Sequence, residues 1–282
     1  MVSDMTKADP DIVALDVTRA LDEDIGTGDV SAQLIPANQT AVARIVSRES
    51  AVLSGTAWAD AAFRRVSPGT RVDWTATDGD RLFPEQVLCR VSGPARALLT
   101  AERVALNFLQ TLGATATLTR RFVEAVEGTG ARILDTRKTL PGLRYAQKRA
   151  VTDGGGTNHR LGLYDMVMLK ENHIRAAGSI TEAVRAARIV GRDLPLEVEV
   201  ETLEQLEEAL GAGVKRVLLD NFSLPKLREA VAVNQGRAEL ESSGNVTLET
   251  VRDVAETGVD YISIGALTKH VRAVDLSMRF VD

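Results

Sequence analysis

From about residue 115 onward the chain repeats one unit: a short apolar strand, a polar residue at its end, then a helical stretch. The strands read as Ile133-Leu134, Met166 to Leu169, Val198 to Val200, Val217 to Leu219, Ala238 to Glu241 and Tyr261 to Ile264. Between them a helical apolar period runs over Ile180 to Val190, Leu203 to Leu210, Leu227 to Val233 and Leu248 to Ala255. Strands joined by crossover helices lie parallel, so the pattern predicts an α/β fold built on a parallel sheet, either a barrel or a doubly wound layer. No G-x-G-x-x-G follows the first strand, which argues against dinucleotide binding. The strand ends carry Asp135/Arg137/Lys138, Lys170/Glu171/Asn172, Glu199/Glu201, Asp220/Asn221, Ser243/Gly244/Asn245 and Gly265. In a β/α barrel those ends converge on one face, which is where catalysis takes place. Six strands that each deliver a polar residue or a glycine to one rim point to an enzyme.

Upstream, residues 11–110 read as mixed α and β. Ile12 to Leu21 and Leu98 to Leu112 carry helical periods, and Ala41 to Val46 and Arg71 to Thr75 alternate as half-exposed strands. The totals set limits on what the site can hold. A net charge of −5 and the lack of a long basic run disfavour nucleic-acid binding, so any anion must be held by local cations. One cysteine, Cys89, excludes an internal disulfide and a cysteine-based zinc site. No apolar run reaches the roughly 20 residues that span a bilayer, and no signal peptide is evident at the start, so a cytoplasmic protein is expected.

The densest chemistry follows the strand at Ile133-Leu134. Asp135-Thr136-Arg137-Lys138 packs an acid and two cations together, and Arg144, His159 and Arg160 lie close in sequence. These cations either pair with Asp135 and solvent or await a small polyanion, for which a mixed Arg/Lys/His set is suited. Glu197, Glu199 and Glu201 alternate and so share one side of a strand. Outward, they form a solvated stripe; inward, each needs a cation, a metal or a cationic transition state. Glu199 with Asp220 on the next strand end is placed to hold Mg²⁺ through a phosphate or sugar hydroxyls. Ser243-Gly244-Asn245 and Gly265-Ala266 are either ordinary turns or backbone phosphate cradles. Gly154-Gly155-Gly156 is either a flexible connector or a close backbone approach. Lys170 is either a Schiff-base lysine, as in a barrel aldolase, or an anion ligand beside Glu171, Asn172 and His173; the second reading is preferred. His270 and Cys89 carry no evident role.

The ordered set Asp135 to Arg144, Asn158 to Gly162, Leu169 to His173, Glu197 to Glu201, Leu219 to Phe222, Ser243 to Asn245 and Gly265 to Thr268 resembles the quinolinate phosphoribosyltransferases. The likeness begins at Asp22 to Ser31 and covers nearly the whole chain. It implies an N-terminal α/β sandwich (residues 1–114, with 275–282 returning to it) and a C-terminal open β/α barrel (115–274). The activity it implies converts quinolinate and phosphoribosyl pyrophosphate to nicotinate mononucleotide, pyrophosphate and CO₂, with Mg²⁺. It further implies a homodimer in which Arg103 is supplied across the interface. Arg137, His159, Arg160 and Lys170, with Thr136 and Lys138 beside them, would bind quinolinate. Glu199 and Asp220 would serve the ribose and Mg²⁺, with Lys138 between the two substrates. Ser243, Gly244, Asn245, Gly265 and Ala266 would hold the phosphoribosyl phosphate, and Lys269 stands where some members carry histidine. The rival expectations are a paralogue acting on another aromatic acid such as nicotinate, the aldolase, and a non-catalytic sugar-phosphate sensor.

Overall fold

The computed structural model describes residues 7–281, which divide into two compact units. One comprises residues 7–120, 139–155 and 267–281; the other comprises 121–138 and 156–266.

The first unit is built on an antiparallel sheet in the order Leu276–Val281, Thr40–Ser47, Val87–Pro94, Arg71–Trp74. Helix Pro10–Ile25 begins where Asp9 accepts the Asp11 N–H and Pro10 supplies a preset φ. It buries Val13, Val17 and Leu21, spaced four apart on one stripe. Trp58 and Phe63, from helix Thr56–Val66, are fully buried, and the Trp58 indole donates to Asp16 at 3.0 Å. Cys89 lies in this core, where burial pushes its thiol up to about 12, so it is an inert apolar filler.

The long helix Ala95–Ala125 runs well past the expected Leu112. Gly113 and the threonines after it are weak helix formers, yet Thr117 and Thr119 turn their hydroxyls back onto the Gly113 and Thr115 carbonyls. Packing extends the helix where propensity alone would end it. A second helix, Arg144–Asp153, was not anticipated, and Gly154 closes it. A Cβ at Gly154 would lie 2.5 Å from the Ala116 carbonyl oxygen and 2.6 Å from Thr119 Cβ. The triple glycine is therefore a close backbone approach at its first member. Gly154→Ala should destabilise the protein by about 1–3 kcal/mol, because its neighbours are backbone and a packed helix. Gly130→Ala, where nothing lies within 4 Å of the new Cβ, serves as the control in the same denaturation series.

The second unit holds six parallel strands in the order Arg132–Leu134, Tyr261–Ser263, Glu239–Ser243, Arg216–Asp220, Leu196–Val200, Val167–Leu169. The two end strands are not paired with each other, so this is an open β/α barrel. Helices Ile180–Val190 and Leu203–Gly211 start on Ser179 and Thr202, whose hydroxyls accept the Glu182 and Gln205 N–H groups. Ile180, Ala183, Val184 and Ala187 form the buried stripe of the first of these helices. Within the central strands, Val198, Val200, Val217, Leu219 and Leu240 are buried and alternate with Glu197, Glu199, Arg216 and Glu241. One face of the sheet is thus apolar and the other densely charged. Among the described residues, no helix is long and apolar enough to cross a membrane.

Candidate active site

The charged face of the parallel sheet opens into a cavity of about 450 Å³. Thr136, Arg137 and Lys138 line it from the end of the first strand, and His159 and Arg160 from the segment that follows. Met168, Lys170, Glu199, Leu218, Asp220, Glu241, Ser243 and Ser263 complete it from the remaining five strands. The strand ends therefore converge as the β–α pattern predicts.

Asp135 is engaged by the chain that follows the first strand. It is fully buried and accepts hydrogen bonds from Asn158 Nδ2 at 2.7 Å and from the His159 backbone N–H at 2.8 Å. It ties the Asn158-His159-Arg160 segment to the first strand, from whose end Arg137 and Lys138 line the cavity. Asp135→Ala should cost about 2–3 kcal/mol by stranding those donors. Amide exchange at His159 should accelerate with the loss in thermal stability.

Beneath the cavity lies a buried network. Arg216 Nε contacts Glu197 Oε1 at 3.0 Å and its Nη2 contacts Glu241 Oε2 at 2.7 Å, both carboxylates being fully buried. The same guanidinium stacks on Tyr261, 4.5 Å from the ring centroid, with Arg132 stacked on that ring at 4.7 Å. His159 Nε2 lies 2.8 Å from Glu197 Oε2 and 3.5 Å from Glu241 Oε2, while its Nδ1 accepts the Arg160 backbone N–H at 2.7 Å. An Nδ1 that accepts leaves the ring proton on Nε2, facing the acids. Burial, and then the charge of Glu197, push Glu241 up to about 7. Burial acts the same way on Glu197, but His159 and Arg216 outweigh it and hold that carboxyl below its ordinary range.

The alternating glutamates thus divide. Glu197 is buried with cations, Glu199 lines the cavity and pairs with the Lys170 ammonium, and Glu201 lies beyond the strand, exposed, with its N–H on Gln205. An ammonium held by a carboxylate offers no lone pair for Schiff-base chemistry, so Lys170 is placed for electrostatics. His173, grouped with the anion ligands in the sequence, instead accepts the Lys170 N–H at 3.1 Å and caps the helix Glu171–Ala177.

On the facing strands, Asp220 lines the cavity and accepts Asn221 Nδ2 at 2.8 Å. Gly244 has a φ of +116°, and a Cβ there would overlap the Asn221 carboxamide, so both its conformation and its closeness require glycine. Asn245 also adopts a left-handed φ, which makes Ser243-Gly244-Asn245 a tight turn with Ser243 in the cavity wall. A Cβ at Gly265 would lie 3.1 Å from Lys138 Cδ, so this glycine gives the lysine its room; Ala266 begins the short helix Ala266–Lys269. Arg103, Arg144, Lys269 and His270 belong to the other unit, where Arg103, Lys269 and His270 are exposed and Arg144 donates to Thr139 Oγ1 at 3.2 Å. The reading of the sequence missed Arg216 and Glu241. Charges at alternate positions of central strands, Glu239/Glu241 and Arg216 beside Glu197, were the available signal.

Two arrangements bear on a metal. His159, Glu197 and Glu241 present ligand atoms within 4.8 Å of one another, but Arg216 already occupies the cationic role between the two acids. Glu199 and Asp220 line the open cavity, and two carboxylates suit Mg²⁺, which keeps waters and binds mainly through phosphates. The donor set at Glu199 and Asp220 fits that ion.

The family described as quinolinate phosphoribosyl transferase matches through its N-terminal domain over residues 24–112 and its C-terminal domain over 115–279. A Mycobacterium leprae protein named nicotinate-nucleotide pyrophosphorylase [carboxylating] is 45% identical, the alignment covering 93% of this chain and 95% of that one. A probable nicotinate-nucleotide pyrophosphorylase [carboxylating] of Bacillus subtilis is 43% identical, over 91% and 89%. Among solved structures, the nicotinate-nucleotide pyrophosphorylase from Francisella tularensis superposes over the whole of both chains with a TM-score of 0.97 at 40% identity.

Proposed function

The chain belongs to the quinolinate phosphoribosyltransferase family, and we propose how its cavity carries that activity. The enzyme joins quinolinate to phosphoribosyl pyrophosphate, releasing pyrophosphate and CO₂ and leaving nicotinate mononucleotide. The observation that carries the assignment of residues is the crowding of Arg160 and Arg137. Burial, followed by the like charge of Arg137, lowers the pKa of Arg160. Two guanidiniums so placed are relieved by an anion with more than one carboxylate. A dicarboxylate can engage both guanidiniums at once, which favours quinolinate over nicotinate.

In this reading Arg137 and Arg160 grip the two ring carboxylates, and Thr136 and Ser243 supply hydroxyls to the cavity wall. Lys138 and Lys170 sit where the phosphoribosyl donor meets the ring. The ring nitrogen forms a bond to the ribose carbon as the bond from that carbon to pyrophosphate breaks. Positive charge on the sugar is stabilised by Glu199 and Asp220 across the cavity. The resulting pyridinium accepts the electron pair freed when the adjacent carboxylate leaves as CO₂, and the ring carbon then takes a proton. Magnesium, held by Glu199 and Asp220 together with substrate phosphates, would neutralise the departing pyrophosphate. Gly244, Asn245, Gly265 and Ala266 offer backbone to the 5-phosphate. The working form in this proposal is a cytoplasmic homodimer, with Arg103 completing the partner's cavity.

Incubation with Mg²⁺ and phosphoribosyl pyrophosphate should yield nucleotide and equimolar CO₂ from quinolinate and none from nicotinate. Nucleotide from nicotinate alone would contradict the residue assignment. Omitting Mg²⁺ in the presence of chelator should abolish turnover, and undiminished turnover would remove the ion from the scheme. Arg103→Ala and Arg137→Ala should each be inactive, yet mixed dimers should recover up to about a quarter of wild-type activity, because half the dimers then hold one intact site. No recovery after confirmed subunit exchange would refute sharing of Arg103.

A further inference from the structure

The buried network reaches the cavity through His159 and Glu241, which both line it, and His159 is the member that leads on to Arg160. Arg216 bridges Glu197 and Glu241 by a hydrogen bond to each, and its side chain is 17% exposed. Its planar fork fixes the two carboxylates at once, which a lysine cannot reproduce. Tyr261 holds the fork from the next strand but one, stacking on the guanidinium while its own hydroxyl accepts Arg132 Nη2 at 2.6 Å and donates to Glu239 at 3.1 Å. The register sets these groups side by side, with Arg216 opposite Glu239 and Tyr261 opposite both Arg132 and Glu241. One link leads from the network to Arg160. Glu197 receives the Nε2 edge of His159, and the Nδ1 edge receives the backbone N–H of Arg160, whose guanidinium lines the cavity and donates to the Met166 carbonyl at 3.3 Å.

We propose that Arg216 is a positioning residue for the aromatic acid: by bridging Glu197 and Glu241 it fixes the tautomer and orientation of His159, and through His159 the backbone that presents Arg160. The proposal rests on the reading of the cavity given above. It separates the two substrates. Arg160 and His159 stand on the wall assigned to quinolinate and follow Glu197 through a side-chain contact, whereas Asp220, Ser243 and Gly265 are tied to Arg216, Glu241 and Tyr261 only along the backbone of the strands that carry them. Loosening Arg216 therefore weakens quinolinate and spares phosphoribosyl pyrophosphate.

The test is steady-state kinetics on the full-length protein with Arg216→Lys and Glu197→Gln. Each should raise the KM for quinolinate about tenfold or more, with the KM for phosphoribosyl pyrophosphate within about twofold and kcat within about threefold. A purely structural role would instead move both KM values together or lower kcat alone, and either pattern, or an unchanged KM for quinolinate, overturns the proposal. A second readout stands apart from turnover. The chain has only three histidines, so ¹⁵N spectra of histidine-labelled protein resolve His159. The wild type should show a protonated Nε2 and a bare Nδ1 at this residue, and Glu197→Gln or Arg216→Lys should mix the tautomers. An Nδ1–H tautomer in the wild type would also overturn it, whether or not the variants fold. If the wild type makes no nucleotide from quinolinate, the reading of the cavity fails, and the tautomer result still decides whether the network holds His159.

Discussion

The bridge that Arg216 makes between Glu197 and Glu241 is the interaction on which the site unit depends. A parallel sheet ordinarily fills the inner face of its barrel with apolar side chains. Here that face carries Arg132, Arg216, Glu197, Glu239 and Glu241, and two of the carboxylates are wholly buried. Two buried carboxylates side by side are tolerated only with a cation fixed between them and a proton available to one. The guanidinium supplies the first condition, and the raised pKa of Glu241 supplies the second. Replacing one partner alone would leave an uncompensated charge in the interior, so the group acts as one piece.

Above this layer the logic reverses. Arg137, Lys138, Arg160 and Lys170 turn toward the cavity, and of these Lys170 is paired with Glu199. These four cations share the cavity wall with Glu199 and Asp220, so the surface that meets the substrates offers cations to their anionic groups and acids to the sugar. A protein with net charge of −5 holds dianionic and polyanionic substrates in this way: the long-range field opposes them while the local one gathers them. Asp135 holds two parts of this wall together. Its carboxylate accepts from Asn158 and the His159 N–H and so holds the Asn158-His159-Arg160 segment against the strand that carries Arg137.

Much of this was legible in the sequence because the period of the pattern is physical. Helix Ile180–Val190 and the six parallel strands lie where apolar spacing put them, and the polar strand ends converge because parallel strands share a direction. What escaped notice did so for nameable reasons. Gly113 to Thr119 signals the end of a helix, and only packing shows that Ala95–Ala125 continues through it. Helix Arg144–Asp153 groups with the N-terminal segment although its neighbours in sequence carry the site, a grouping that local periodicity does not encode. His173 looked like a ligand because it adjoins Lys170, but at the start of a helix an imidazole acceptor satisfies a free N–H. Arg216 carries no local signal, since its partners are residues 19 and 25 positions away.

The position of the aromatic acid is the most direct test, and a crystal structure of the protein with quinolinate measures it. The two carboxylates should lie on the Arg137 and Arg160 guanidiniums, with the Arg216–Glu197–Glu241 bridge intact beneath and His159 Nε2 still facing Glu197. Quinolinate bound away from those guanidiniums, or a His159 ring turned so that Nε2 leaves Glu197, would contradict it.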